Sequence, residues 1–179
     1  MSIVNSSYEI IETERLLLRK FAINDVGDML KNWISDKDVQ SRYGEPIFTD
    51  TQSVVNLLDK WSLQYRFAII LRDTNENIGH VSFCRYYENE YTAEIEYCVG
   101  KAFCNKGFIT EAIKAFIEYT FDNTPVTKLE AFHRIENPAS GKVLQNAGMK
   151  PVANVLRFAE LKKAPVGDIC YAIKKSSNF

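Results

Sequence analysis

"TAEIEYCVGKAFCNKGFITEAIKAF", residues 92–116, changes its character once, at a short basic turn. Residues 92–100 read as a strand. From Ile109 the apolar residues Ile109, Ile113, Phe116 and Ile117 recur at helical spacing, with Ala112 and Ala115 between them, which predicts a helix over 110–122. The turn between them is centred on Lys106-Gly107. A glycine-containing turn that opens a helix is a ready anion site, because the first-turn N–H groups have no intrahelical acceptor. The next strand, "VTKLEAFHR" (126–134), closes a strand–helix–strand unit and implies a parallel pair. The turn then lies at the carboxyl end of a strand, where open sheets bind ligands.

Working outward, "RLLLRKF" (15–21) reads as a first strand, with Asn24 or Asp25 capping a helix over "VGDMLKNWI". A second helical region, 49–62, is capped at Thr49 or Asp50. Strands follow at 65–73 and 78–87, joined as a hairpin across "TNEN". "NPASGKVLQNAG" (137–148) is a helix with Asn137 at its start, Pro138 in its first turn and Gly148 at its stop. Strands at 151–160 and 168–174 end the chain. The order predicts an α/β (α+β) fold, a mixed central sheet with helices on both faces. No repeat or Pro/Gly/Ser-rich linker divides residues 1–179, so one domain is expected.

Composition narrows the function. A net charge of −1 excludes a nucleic-acid binder that works through a broad basic field. No apolar run is long enough to span a bilayer, and the first residues show no signal-peptide pattern. Cys84, Cys98, Cys104 and Cys170 are scattered without a C-x-x-C pair, as expected of free thiols in a reducing cytoplasm. The phosphate turn is neither G-x-G-x-x-G nor a Walker loop, so dinucleotide oxidoreductases and NTPases drop away.

Five stretches in order, "TERLLLRKF", "IGHVSF", "AEIEYCVG", "CNKGFITEAI" and "ENPASGKVLQNAGM", together resemble the GNAT acetyltransferases, and among them the ribosomal-protein N-acetyltransferase (RimJ/RimL) branch. The resemblance implies the GNAT fold, an acetyl-CoA donor and no metal. It assigns the cofactor to Tyr97, Cys98 and Val99 on the strand, to Asn105, Lys106, Gly107, Phe108, Ile109 and Thr110 in the turn, and to Asn137 and Lys142. Backbone N–H groups of this turn cradle the family's pyrophosphate, so side-chain differences are tolerated. Cys104, Asn105 and Ile109 depart from the family's Q/R-x-x-G-x-G/A pattern. Asn137 has a competing use as a helix cap. The family's tyrosine acid is replaced by Leu144, which leaves Ser140 as the candidate to protonate the leaving thiolate.

The acceptor amine must lose a proton, and Glu94 and Glu96 lie two apart on one strand face. Glu94 matches the family's relay glutamate better; Glu96 is its rival, and a bulge would exchange them. Glu88 and Glu90 read as a solvated hairpin edge. The acceptor implied is a protein N-terminal α-amine, with a polyamine or amino-bearing antibiotic as the runner-up and a non-catalytic acyl-CoA-binding module as a different class. A homodimer is left open. His80 and Cys84 are not placed to share a metal on a strand, His133 reads as packing or surface, and a Cys98 or Cys104 acyl-enzyme with His133 stands as the competing chemistry.

Overall fold

The computed structural model describes residues 10–43, 45–152 and 168–176. Its strands are β1 (Ile11–Glu12), β2 (Leu16–Arg19), β3 (Arg66–Leu71), β4 (Asn77–Tyr87), β5 (Thr92–Val99), β6 (Lys128–Arg134), β7 (Lys150–Val152) and β8 (Asp168–Lys174). They form one sheet in the order β1-β2-β3-β4-β5-β6-β8-β7. Every neighbouring pair is antiparallel except β5 and β6, which run parallel. That exception is the strand–helix–strand unit expected from residues 92–134. The crossover between them is α4 (Phe108–Asn123).

Alternation along the strands builds two cores. On one face Leu18, Phe67, Ile69, Val81, Ala93, Ile95 and Leu129 meet Ile113, Phe116 and Ile117 of α4, and α5 (Pro138–Asn146) adds Leu144. Phe116 is fully buried, with its ring 5.7 Å from Phe67 and 5.4 Å from Phe83. Burying one such side chain stabilises by ~1.5–3 kcal/mol, so this stripe anchors α4 and fixes where its first turn points. On the other face α1 (Val26–Asn32) and α3 (Thr51–Trp61) pack Val26, Met29 and Val54, with Trp33 and Ile34, against Cys98 of β5. Helices therefore cover both faces of a mixed sheet, as expected.

Several details differ from the sequence reading. A further helix, α2 (Lys37–Tyr43), follows α1, and Asp36 Oδ1 caps it by accepting from the N–H groups of Asp38 (2.8 Å) and Val39 (3.1 Å). Two turns are too few for periodicity to register. Asp25 makes no side-chain cap to α1; it is held by Arg19 through two 2.8 Å bonds instead. Asp50 does cap α3, accepting from Ser53 N at 2.8 Å. β1 was not expected, since two residues carry no pattern. The strand expected over 151–160 is β7 as far as Val152; the remainder lies outside the described residues. The bulge sits in β4, between Phe83 and Arg85, while β5 runs on without interruption. Glu94 and Glu96 therefore do share a face.

Candidate active site

β5 and β6 pair from Thr92↔Lys128 only as far as Ile95↔Ala131. Beyond that rung β5 stays with β4 up to Val99, and β6 stays with β8 up to Arg134. The two strands part, and a cleft of about 730 Å³ opens between Glu96–Val99 and Phe132–Arg134. The first turn of α4 closes one end of it, the start of α5 lies along it, and α2 overhangs the far side.

The turn before α4 has the shape an anion needs. Asn105 (φ 61°) and Gly107 (φ 80°) both sit in the left-handed region, the kind of turn backbone from which anion-binding concavities are built. Sixteen residues of helix follow, so its N-terminal dipole adds to the unpaired first-turn donors. The only acid in that first turn, Glu111, is drawn away from the cleft. It accepts from Thr13 Oγ1 (2.6 Å), Arg15 N (3.0 Å) and Arg15 Nε (2.7 Å). Burial raises its pKa, but these bonds outweigh burial and the net shift is downward. Arg15 also donates to the Lys106 carbonyl at 3.0 Å and stacks over the Phe108 ring at 4.6 Å. Thr13 and Arg15 belong to the "TERL" stretch that contributed to the family resemblance. Their task of wiring the sheet edge to the anion turn was not read from sequence.

Of the residues assigned to the cofactor, Tyr97, Cys98, Val99, Asn105, Gly107, Ile109, Thr110, Asn137 and Lys142 line the cleft. Lys106 and Phe108 do not. Phe108 packs beneath Arg15, and Lys106 Nζ lies 5.8 Å from the Phe103 ring. Asn137 occupies the N-cap position of α5 but makes no side-chain cap bond, so its amide is not spent on the helix. Ser140 faces Tyr97, whose hydroxyl lies 2.6 Å from Ser140 Oγ and 3.1 Å from the Ser140 carbonyl. Leu144 is fully buried in the core and offers no chemistry.

Gly141 shows why this helix carries a glycine. A Cβ there would lie 2.5 Å from His133 Nε2. Ordinarily an interior Gly→Ala exchange in a helix gains ~1 kcal/mol. Here Gly141→Ala should instead cost ~1–3 kcal/mol, because the imidazole is buried and must move. Urea unfolding reads the sign, and a stabilised variant would contradict the close packing.

Both carboxylates line the cleft, each beside an arginine. Glu94 is 4% exposed, with Oε2 3.1 Å from Arg85 Nη1. Glu96 Oε1 accepts from Arg66 Nη2 (2.6 Å) and Ser82 Oγ (3.0 Å). Arg66 is itself held by stacking on Trp61, 4.2 Å from the ring centre. His80, fully buried against Arg66 and the Trp33 and Trp61 rings, has its pKa driven far down by burial and then by Arg66. It stays neutral. Burial above all pushes the Cys98 thiol up, which disfavours the thiolate an acyl-enzyme would require. Among the described residues no group of histidine, cysteine and acidic side chains could hold a metal.

Strand alternation divides the cleft by role. Tyr97 reaches α5 on one face of the sheet, while Glu94 and Glu96 point to the face that carries α1 and α3. A group held between the parted strands is thus flanked by a serine hydroxyl on one side and by carboxylates on the other.

This arrangement is matched by the sequence. The family model described as the acetyltransferase (GNAT) domain covers residues 15–150, and the chain belongs to the GNAT acetyltransferase family. It is similar to the uncharacterised N-acetyltransferase YnaD of Bacillus subtilis (strain 168), 34% identical over 142 residues that span 78% of this chain and 82% of the relative. The structure of a GNAT-family acetyltransferase from Bacillus anthracis superposes with a TM-score of 0.79 at 28% identity, covering 93% of this chain and 98% of that one. A RimL ribosomal L7/L12 α-N-protein acetyltransferase, solved in complex with coenzyme A, shares the fold with a TM-score of 0.78 at 17% identity over 95% of this chain and 100% of that one. The chain is accordingly an acetyl-CoA-dependent N-acetyltransferase.

Proposed function

We propose that the protein transfers acetyl from acetyl-CoA to a protein N-terminal α-amine, directly and within a ternary complex, in the manner of the RimJ/RimL branch and in the cytoplasm. The observation that carries this reading is the single cleft that joins an anion-shaped turn to a pair of carboxylates. The turn at Asn105–Thr110 fits a pyrophosphate, and Asn137 has an uncommitted amide for the pantetheine arm. Acetyl-CoA supplies the activated acyl group when bound. Glu94 takes the proton the amine must lose, directly or through water, and Ser140 hydrogen-bonds the departing sulfur through its hydroxyl.

Two features support an α-amine acceptor. Both carboxylates already bear arginine partners, so they suit a substrate that needs little help. An α-amine titrates at ~7.7–8.0 against ~10.4 for lysine, and so presents far more free base near neutrality. The shared fold of the L7/L12 enzyme is consistent with this choice.

Release of CoA tests the proposal. Peptides with free N-termini should be turned over with the highest kcat/KM, and blocking the N-terminus while leaving lysines free should abolish the signal. A polyamine or aminoglycoside that outpaces every peptide would replace the acceptor, and silence with all amines at saturating acetyl-CoA would leave only a binding module. Initial-rate plots should intersect, and serine at Cys98 or Cys104 should leave turnover largely intact. Parallel plots, or acetyl trapped on either cysteine, would establish an acyl-enzyme instead.

A further inference from the structure

The site lacks the tyrosine acid that the family resemblance would place at position 144, yet a tyrosine stands beside Ser140 from another element. Tyr97 projects from β5 on the α5 side of the parted strands, and its hydroxyl is 2.6 Å from Ser140 Oγ. The same hydroxyl is 3.1 Å from the Ser140 carbonyl, so the phenol has two acceptors on one residue, of which Oγ is the nearer. Both residues line the cleft, and neither is needed to hold the helix. Asn137 and Pro138 open α5, and Ser140 N is already bonded to the Asn137 carbonyl at 3.1 Å. A hydroxyl has one hydrogen to give. If Ser140 gives its hydrogen to Tyr97, nothing reaches the sulfur. If Tyr97 gives its hydrogen to Ser140 Oγ, the serine hydrogen is released toward the cleft.

We propose that Tyr97 is the positioning residue for Ser140: its hydroxyl donates to Ser140 Oγ and thereby aims the serine hydrogen at the sulfur of the acyl donor. The inference rests on the acetyltransfer reading above and deepens its leaving-group half. As the amine nitrogen bonds to the thioester carbon and the C–S bond breaks, the sulfur leaves with that bond's electron pair. Ser140 stabilises the growing negative charge by a hydrogen bond, polarised in turn by Tyr97. Neither hydroxyl is consumed. The amine's proton goes to the base, and the thiolate takes a proton from water after release. Burial pushes the Tyr97 phenol far above its ordinary pKa, which keeps it a donor throughout. A charged acceptor strengthens both bonds of the chain, which is the moment at which the arrangement matters.

The test reads the thiol itself, apart from turnover. CoA bound to the protein is titrated by its thiolate ultraviolet absorbance, against the same protein loaded with desulfo-CoA so that Cys84 and Cys104 cancel. Lys142, Arg134 and Tyr171 near the site are present in every variant and cancel too. In the unaltered protein the bound thiol should ionise at lower pH than free CoA. Tyr97→Phe and Ser140→Ala should each reduce the thiolate fraction at a given pH about tenfold, as expected for one hydrogen bond to a charged group. The double variant should lose no more than either, and Ser140→Thr should retain the effect. Tyr97→Phe without effect would make Tyr97 a buttress only. A change in Tyr97→Phe with none in Ser140→Ala, or losses that add, would place Tyr97 on the sulfur directly, and either overturns the relay. Where Tyr97→Phe does not fold, fluorotyrosine at position 97, a stronger donor, should raise the thiolate fraction; an unchanged or lower fraction refutes the proposal. CoA that fails to bind the unaltered protein would instead overturn the cofactor site.

Discussion

Glu94→Gln should lower kcat by ~10²–10⁴-fold at neutral pH, the range that one general base contributes. The exchange keeps shape and hydrogen-bonding capacity while removing the charge proposed to take the amine's proton. Its partner Arg85 is one-third exposed, so water can solvate the guanidinium left behind, and stability should change little. The deficit should shrink as pH rises through the acceptor's own pKa, because free amine then accumulates without the base. Glu96→Gln is the informative comparison. Both protein bonds to Glu96 run to Oε1, and the arginine on the other end is only 7% exposed. Removing that charge takes from a buried guanidinium its Glu96 carboxylate partner, which should cost ~1–3 kcal/mol of stability in addition to any loss of rate. Rates measured well below each variant's melting temperature separate the two effects. Near-normal turnover in Glu94→Gln with loss in Glu96→Gln would move the base by two residues along β5. Normal turnover in both would mean that the acceptor's low pKa suffices.

What was legible in the sequence is what local pattern can encode. The strand–turn–helix at 92–123 announced itself through a change of period and one glycine, and it fixed the parallel pair from which the cleft follows. Alternation placed Glu94 and Glu96 on one face, and an uninterrupted β5 keeps them there. α2 escaped because seven residues make two turns and their cap, Asp36, reads equally well as a loop residue. Contacts between distant segments escaped for a different reason. Thr13 and Arg15 lie about a hundred residues from Glu111 in sequence, and no periodicity links an arginine in the β1–β2 turn to a helix carboxylate. The same holds for Tyr97 and Ser140. Each was singled out on its own account, but only the parting of β5 from β6 brings the two hydroxyls together.

Gly107→Val should abolish most of the stabilisation that CoA confers. A ligand that binds only the folded state at a hundredfold excess over its dissociation constant adds ~2.7 kcal/mol, which a melting curve resolves easily. Gly107 sits at φ 80° as the N-cap of α4, and a β-branched residue is strongly strained there. The damage is conformational more than steric, since an added Cβ would meet only Arg15 Nη2, at a tolerable 3.4 Å. The turn must therefore flip its peptides, and the concavity proposed for the anion would be lost. The protein without ligand should lose only the strain, ~1–3 kcal/mol, because α4 is held by Phe116 and its neighbours rather than by the turn. Gly107→Asn supplies the control: asparagine tolerates the left-handed region, so it should keep most of the CoA shift. Arg15→Ala should weaken the shift less than Gly107→Val does, raising KM for acetyl-CoA more than it lowers kcat, since it frees the turn without inverting it. If Gly107→Val and Gly107→Asn respond alike to CoA, the left-handed turn is not what holds the phosphates, and the basic side chains along the cleft must hold them instead.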